Sequence, residues 1–217
     1  MYEQVKSMRG GIYVIEGIVG VGKTTLGKSL EQYLNNIGVK CKFYREFVNN
    51  DLLNQFIGNM KQYAYCFQMI MLLKRIEIYN EAETFAQSGG VAFIDRSIVG
   101  DMTFARMHYE NGNISEPEWI IYNNYIKNET LLTPTACIYL QCDYQTSLDR
   151  LKIRGVESEI NGYNSNYIIA LKNTYDQVIL SCDNVKTINL DWNIQISLDD
   201  NGFITDDHVI KIIKSLL

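Results

Sequence analysis

The chain has 217 residues, 47% hydrophobic and 21% charged, with two prolines, which excludes disorder, a collagen repeat and a disulfide scaffold. The length predicts one domain over residues 1–217 with a full-sized core. A net charge of -5 without a basic block speaks against a duplex-binding surface, and no apolar run approaches the ~20 residues of a spanning helix. Residues 1–9 are polar and lead straight into a strand, without the apolar stretch of a signal peptide or the Arg/Ser richness of a transit peptide. Cys41, Cys66, Cys137, Cys142 and Cys182 are scattered and form no C-x-x-C, so they read as buried, reduced thiols of a cytoplasmic protein. No nucleic-acid or membrane partner is expected.

Five short, β-branched apolar runs, at 12–15, 39–44, 91–94, 136–141 and 185–190, predict strands. Helical patterns separate them. Leu26, Leu30, Tyr33, Leu34 and Ile37 recur on one helix face, and Gly38 supplies the stop. Residues 63–85 predict a long helix, apolar nearly all round and therefore buried. A third helix covers 116–130, with Ser115 as N-cap and Pro117 in its first turn. Residues 146–154, 165–180 and 206–217 complete the set, and 191–205 shows no clear pattern. Strands apolar on both faces and alternating with helices predict an α/β fold, a parallel sheet covered on both sides.

Gly17-Ile18-Val19-Gly20-Val21-Gly22-Lys23-Thr24 matches G-x-x-x-x-G-K-[ST] between a predicted strand and a predicted helix. Such a loop wraps its N–H groups around phosphate oxygens, and the helix N-terminus adds partial positive charge. Lys23 would reach the β- and γ-phosphates, with Thr25 next to Thr24 in the same nucleotide-binding turn, and the Thr24 hydroxyl would ligate Mg²⁺. No N-K-x-D for guanine is present, and the acidic pair of a motor is missing. The strand at 91–94 ends instead in Asp95-Arg96-Ser97, where open sheets bind ligands.

With these residues in hand the chain resembles the deoxyribonucleoside kinase family, from about residue 11 to 190. Five features carry the resemblance in order: Ile15-Glu16-Gly17 into the P-loop; Glu46 in Tyr44-Arg45-Glu46; Phe67-Gln68 followed by Arg75; Asp95-Arg96-Ser97-Ile98 with Asp101 behind; and Arg150-x-x-x-Arg154-Gly155 followed by Glu159. The Asp-Arg-Ser form, with Asn-Ile-Ser-Glu after Gly112, is most similar to bacterial-type purine deoxynucleoside kinases.

The resemblance implies a three-layer P-loop kinase fold, a five-stranded parallel sheet with a short helical lid near 150–160, in one kinase domain. It implies ATP-dependent phosphorylation of a deoxyribonucleoside 5′-hydroxyl in nucleotide salvage, with Mg²⁺, and a homodimer through two long helices, for which 63–85 and 119–126 are candidates. Glu46 would be the general base and Arg96 would sit beside the 5′-oxygen. Gln68 would read the base, Arg75 and Asp101 its far edge, with Phe104 as a stacking ring. Phe67 and Tyr65 are further aromatic candidates. Asp95 would hold Mg²⁺ with Thr24. Arg150 and Arg154 would close over the phosphoryl group, and Glu159 would bind the 3′-hydroxyl. The pair Arg75–Asp101 implies deoxycytidine or a purine deoxynucleoside rather than thymidine.

Each residue also has a plainer reading. Glu46 would be a surface carboxylate ending a strand, Asp95 a helix cap, Arg75–Asp101 a structural ion pair, and Arg150 and Arg154 solvated cations. Two positions depart from the family pattern. Val156 stands where a further lid arginine is usual, and Ile57, eleven residues before Gln68, stands where a tyrosine meets the 3′-hydroxyl. Tyr63 is a candidate substitute, and Ser158 stands where some relatives carry a second acid. Two rival functions remain, a nucleoside monophosphate kinase of thymidylate-kinase type and a non-catalytic nucleotide-binding relative. The first would want more acceptor-side arginines than Arg45, Arg75 and Arg106; the second is at odds with intact Lys23, Glu46 and Arg96.

Overall fold

A computed structural model describes residue 8 and residues 10–181, 184–193 and 198–217. The expectations for residues 1–7, residue 9 and Cys182 lie outside the described residues. Each of the five predicted runs coincides with a strand to within two residues at either end: β1 (Gly11–Glu16), β2 (Cys41–Tyr44), β3 (Val91–Asp95), β4 (Ala136–Gln141) and β5 (Thr187–Asp191). They form one parallel sheet in the order β2-β3-β1-β4-β5. The three central strands are apolar on both faces because helices cover both.

The register shows how. Phe43, Phe93 and Tyr13 align across β2, β3 and β1, so their side chains share one face. Helix α1 (Lys23–Asn36) lies on that face, where a Cβ at Gly27 would fall 2.1 Å from the Phe43 ring. Only glycine lets helix and sheet approach so closely. Tyr44 points to the opposite face, where its ring meets Phe85 edge-on at 6.4 Å on helix α2 (Met60–Gln87).

Helix α2 corrects one expectation. It is buried along a single stripe, Ala64, Gln68, Leu72, Arg75, Ile76, Tyr79 and Ala82, rather than all round; Leu73 on the outer side is exposed. Its 28 residues span about 42 Å at ~1.5 Å each, more than the sheet can cover. Its N-terminal half therefore helps build a second, smaller core of Phe56, Leu72, Ile76, Ala105, Ile114 and Tyr122. Cys41, Cys137 and Cys142 are buried as expected, whereas Cys66 is exposed on this same helix.

That second core draws on two helices the periodicity did not reveal, α3 (Asn50–Gly58) and α4 (Ile98–Glu110), and on α5 (Glu116–Asn128). α5 starts at Ser115 as predicted, in a capping box with Glu118. The remaining helices are α6 (Tyr144–Arg154), α7 (Glu157–Gly162) at the end of the segment where the resemblance implied a short helical lid, α8 (Ser165–Leu180) and α9 (Asp206–Leu216). In α4, Gly100 weakens the helical pattern by about 1 kcal/mol. The fold requires it there: a Cβ would fall 2.4 Å from a carboxylate oxygen of buried Glu16. Among the described residues no helix is long and apolar enough to cross a membrane.

Candidate active site

The C-terminal ends of β1, β2 and β3 open into a cavity of about 960 Å³. Small-molecule sites run to roughly 1,000 Å³, so it has room for two substrates meeting end to end. One end is the P-loop, where Gly17, Gly20 and Gly22 all hold positive φ. Ser147 on α6 donates to the Val19 carbonyl at 2.7 Å, and Arg150 donates to the Val21 carbonyl at 2.8 Å, so α6 braces the loop from outside. Lys23 is buried and rests on the Gly17 and Ile18 carbonyls at 3.2 and 3.0 Å. Burial, then the charge of Arg96, lowers its pKa to about 8.

Thr24 and Asp95, 71 residues apart, meet here: the hydroxyl donates to Asp95 Oδ2 at 2.7 Å. Asp95 Oδ1 is buried without a hydrogen-bond partner among the described residues. Burial pushes its carboxyl up, against the pull of Lys23. Asp95 does not cap the following helix; Ser97 does, accepting from the Val99 N–H. A hydroxyl and a carboxylate with an unused oxygen suit Mg²⁺, a hard cation that takes few protein ligands and keeps water and phosphate. Among the described residues no group of three or more His, Cys, Asp or Glu side chains is placed to hold a metal ion.

At the strand ends Glu46 lies between two guanidiniums, accepting from Arg75 Nη2 at 2.8 Å and from Arg96 Nε at 3.3 Å. Burial pushes its carboxyl up, but Arg96, Arg75 and Lys23 outweigh it and hold the pKa at about 2. It is thus no solvated surface carboxylate. Arg96 has φ of 69°, left-handed and costly for a side chain of this size. Its guanidinium is held by the Gly17 carbonyl at 2.7 Å and by the Tyr175 hydroxyl, which in turn donates to Glu16 at 3.2 Å. The same carboxylate accepts from Ser97 N–H and Oγ, both at 2.7 Å. The strained residue is therefore fixed from behind by Glu16, read from the sequence only as part of the lead-in to the P-loop, and by Tyr175, which the sequence reading did not single out.

The cavity's far end is lined by Gln68, Arg75, Phe67 and Phe104. Gln68 is buried, and its amide has no partner among the described residues, so it presents a donor and an acceptor to the cavity. Arg75 bonds Glu46, and Asp101 stands behind it at 3.9 Å, off the cavity wall. Burial raises the Asp101 pKa to about 7. Phe104 covers the Arg96 guanidinium at 4.7 Å, and Phe67 stacks on Phe56 at 4.4 Å. Tyr65 packs against the second core.

On the lid side Arg154 pairs with Glu159 at 2.8 Å, joining α6 to α7. Arg150 binds backbone carbonyls, at Val21 and Trp192, so it is not a solvated cation. Ile57 packs against Gly162, where a Cβ would fall 2.4 Å from its side chain. Tyr63 packs against the second core, away from the cavity wall. The phenol that does line the cavity, with Glu159, is Tyr163. Trp192, Leu198 and Ile204 also line it, from the stretch that showed no pattern. Their one legible signal was position, just past the C-terminal end of the last strand.

The family model for deoxynucleoside kinase matches residues 13–216. The deoxyadenosine kinase of Dictyostelium discoideum is 28% identical over 215 residues, covering 98% of this chain and 81% of that protein. The deoxyadenosine/deoxycytidine kinase of Bacillus subtilis is 31% identical over 157 residues, 70% of this chain and 69% of its own. Among solved structures, the deoxyadenosine kinase from M. mycoides with bound dCTP has the same fold. Its TM-score is 0.74 at 20% identity, over 94% of this chain and 96% of that one.

Proposed function

The chain belongs to the deoxynucleoside kinase family, a family of transferases, and on that premise we propose that it moves the γ-phosphoryl group of ATP to the 5′-hydroxyl of a deoxyribonucleoside. The observation that carries this reading is Glu46 between Arg75 and Arg96 in one cavity with the P-loop lysine. The P-loop amides and Lys23 hold the donor phosphates. Arg96 faces the entering oxygen and offsets charge on the transferring group. Glu46 orients the 5′-hydroxyl and takes its proton. Its low basicity is compatible with that role: in a loose transition state the hydroxyl becomes acidic only as its bond to phosphorus forms. Thr24 and Asp95 would hold Mg²⁺, which when bound draws charge from the β- and γ-phosphates.

Gln68 reads the base edge, Arg75 with Asp101 behind it sets polarity at the far side, and Phe104 flanks both. Glu159 takes the 3′-hydroxyl, with Tyr163 rather than Tyr63 as its phenol partner. Arg154 closes the lid, and Arg150 acts from its brace on the P-loop. Deoxycytidine or a purine deoxynucleoside is the acceptor, in keeping with the substrates in the relatives' names. The whole chain acts as one kinase domain, in the cytoplasm, as a homodimer. Exposed Leu73 on α2 and Ile120 and Ile121 on α5 support the dimer.

Phosphoryl transfer from ATP to a panel of deoxynucleosides and to a panel of nucleoside monophosphates tests the reading. Turnover with deoxycytidine or a purine deoxynucleoside is expected. Turnover confined to monophosphates would replace it, and none with either would leave a nucleotide-binding protein without this activity.

A further inference from the structure

Two rings from different elements line the acceptor side of the cavity, Phe67 on α2 and Tyr163 just after α7. Neither is held by its own element alone. Phe67 stacks on Phe56 of α3, with centroids 4.4 Å apart and planes 8° from parallel. Tyr163 stacks on Tyr167 of α8 at 4.9 Å. Between Phe56 and Tyr167 stands His108 of α4, which meets Phe56 edge-on at 5.2 Å and Tyr167 at 5.8 Å. Ile57 and Gly162, the neighbours of Phe56 and Tyr163, touch and close the chain of contacts into a circle.

His108 is fully buried, and the phosphotransfer reading gives it no task. Burial lowers its pKa to about 4, so at neutral pH the ring carries a single hydrogen. Its two nitrogens face two different elements. Nδ1 lies 3.3 Å from Asn113 Nδ2, and Nε2 lies 3.4 Å from the Tyr167 hydroxyl. An amide nitrogen can only donate, so Nδ1 accepts and the hydrogen sits on Nε2, on the side of Tyr167. The backbone N–H of Asn113 also donates to the His108 carbonyl at 2.8 Å, so the loop after α4 holds the residue twice. An apolar side chain of similar volume would fill the same space, but it would leave the buried Tyr167 hydroxyl without this partner.

We propose that His108 is a positioning residue for the acceptor: through Tyr167 and Phe56 it sets the spacing between Tyr163 and Phe67. This rests on the phosphotransfer reading and adds to it a residue that touches no substrate. Binding walls of this kind must be held to within about 0.5 Å, and side chains locked by packing and hydrogen bonds behind them do so.

The test compares Tyr167→Phe, His108→Leu and His108→Gln with the parent. Affinity for deoxycytidine and deoxyadenosine is measured by calorimetric titration, beside kcat, KM for ATP and melting temperature. Tyr167→Phe keeps the stack on Tyr163 and removes only the hydroxyl, so it should fold. It should weaken nucleoside binding by roughly three- to tenfold, the usual worth of one hydrogen bond, with kcat and KM for ATP changed less than about twofold. His108→Leu should lose at least as much nucleoside affinity. The double variant should lose no more than the weaker-binding single one, because both break the same link. His108→Gln should recover most of the loss, since its amide N–H can reach the Tyr167 hydroxyl.

Unchanged nucleoside affinity in Tyr167→Phe would overturn the proposal, whatever the melting temperature does. A uniform fall in kcat with both affinities intact would overturn it as well, because it would report a smaller folded fraction rather than a displaced wall. These results leave the phosphotransfer reading standing. If the unsubstituted chain phosphorylates no nucleoside, that reading falls, and the proposal with it.

Discussion

Glu46→Gln separates charge from shape at the centre of the cavity. The carboxylate accepts from Arg75 at 2.8 Å and from Arg96 at 3.3 Å. Glutamine keeps one acceptor oxygen and turns a donor toward the second guanidinium, so only one of the two arginines stays satisfied. In the barrier, loss of the base should lower kcat by ~10²–10⁴-fold, on the order of 3–5 kcal/mol. In stability, the carboxyl is depressed from 4.5 to about 2, which corresponds to on the order of 3 kcal/mol. A depressed carboxyl stabilises above its unfolded pKa, and that contribution disappears as pH falls through the folded one. The variant should thus melt below the parent at pH 7, by roughly 6–12 °C for a chain of this size. The gap should close as pH falls from about 4.5 toward 2. Single-turnover rates at saturating substrates give the first quantity and calorimetric melting against pH the second. A near-normal rate with chemistry shown to be rate-limiting would refute Glu46 as base. A melting gap independent of pH would refute the assignment of the stability to its charge.

Lys23, with its pKa lowered to about 8, loses its charge as pH rises through that value, so kcat/KM for ATP should fall above about pH 8; a profile flat to pH 10 would contradict this. Asp95→Asn keeps the contact with Thr24 but removes the charge, and should raise the Mg²⁺ concentration for half-maximal rate by about tenfold or more, with little change in nucleoside affinity; an unchanged Mg²⁺ requirement would exclude Asp95 from the metal site. Gln68→Leu should reduce kcat/KM unequally across nucleosides, by roughly 5–150-fold for those whose edge the amide reads, and a uniform loss would show that it does not read the base. Thymidine should remain the poorer substrate while Arg75 and Asp101 are intact, and thymidine kcat/KM above that for deoxycytidine and the purine deoxynucleosides would refute their role.

The phosphate site was legible in the chain because it is local. Eight consecutive residues between a strand and a helix contain the loop, the lysine and the threonine. The three central strands were legible because each is buried on both faces and so is almost wholly apolar, and the edge strands β2 and β5, partly exposed, because apolar residues still run through them. Gln68 and Arg75 were legible as one face because two helical turns separate them. Partners were another matter. Arg75 has carboxylates from two distant elements within reach, and the approach of β2 to α2 decides that it bonds Glu46, with Asp101 behind it. Gly100 counts against a helix when read along the chain, yet the helix needs it, because Glu16 comes against it from 84 residues away. Ile57 and Tyr63 looked like a question of local substitution. The contact of α3 with Gly162 instead brings Tyr163 to the cavity wall. Trp192 had no periodicity to mark it, and acquires its place through the Gln141 carbonyl of β4 and through Arg150, which ties it to Val21 across the sheet's C-terminal edge. Periodicity along a chain records which way a side chain faces within its own element. What it meets there depends on how elements cross, and that is set by the packing of the whole sheet and its helices.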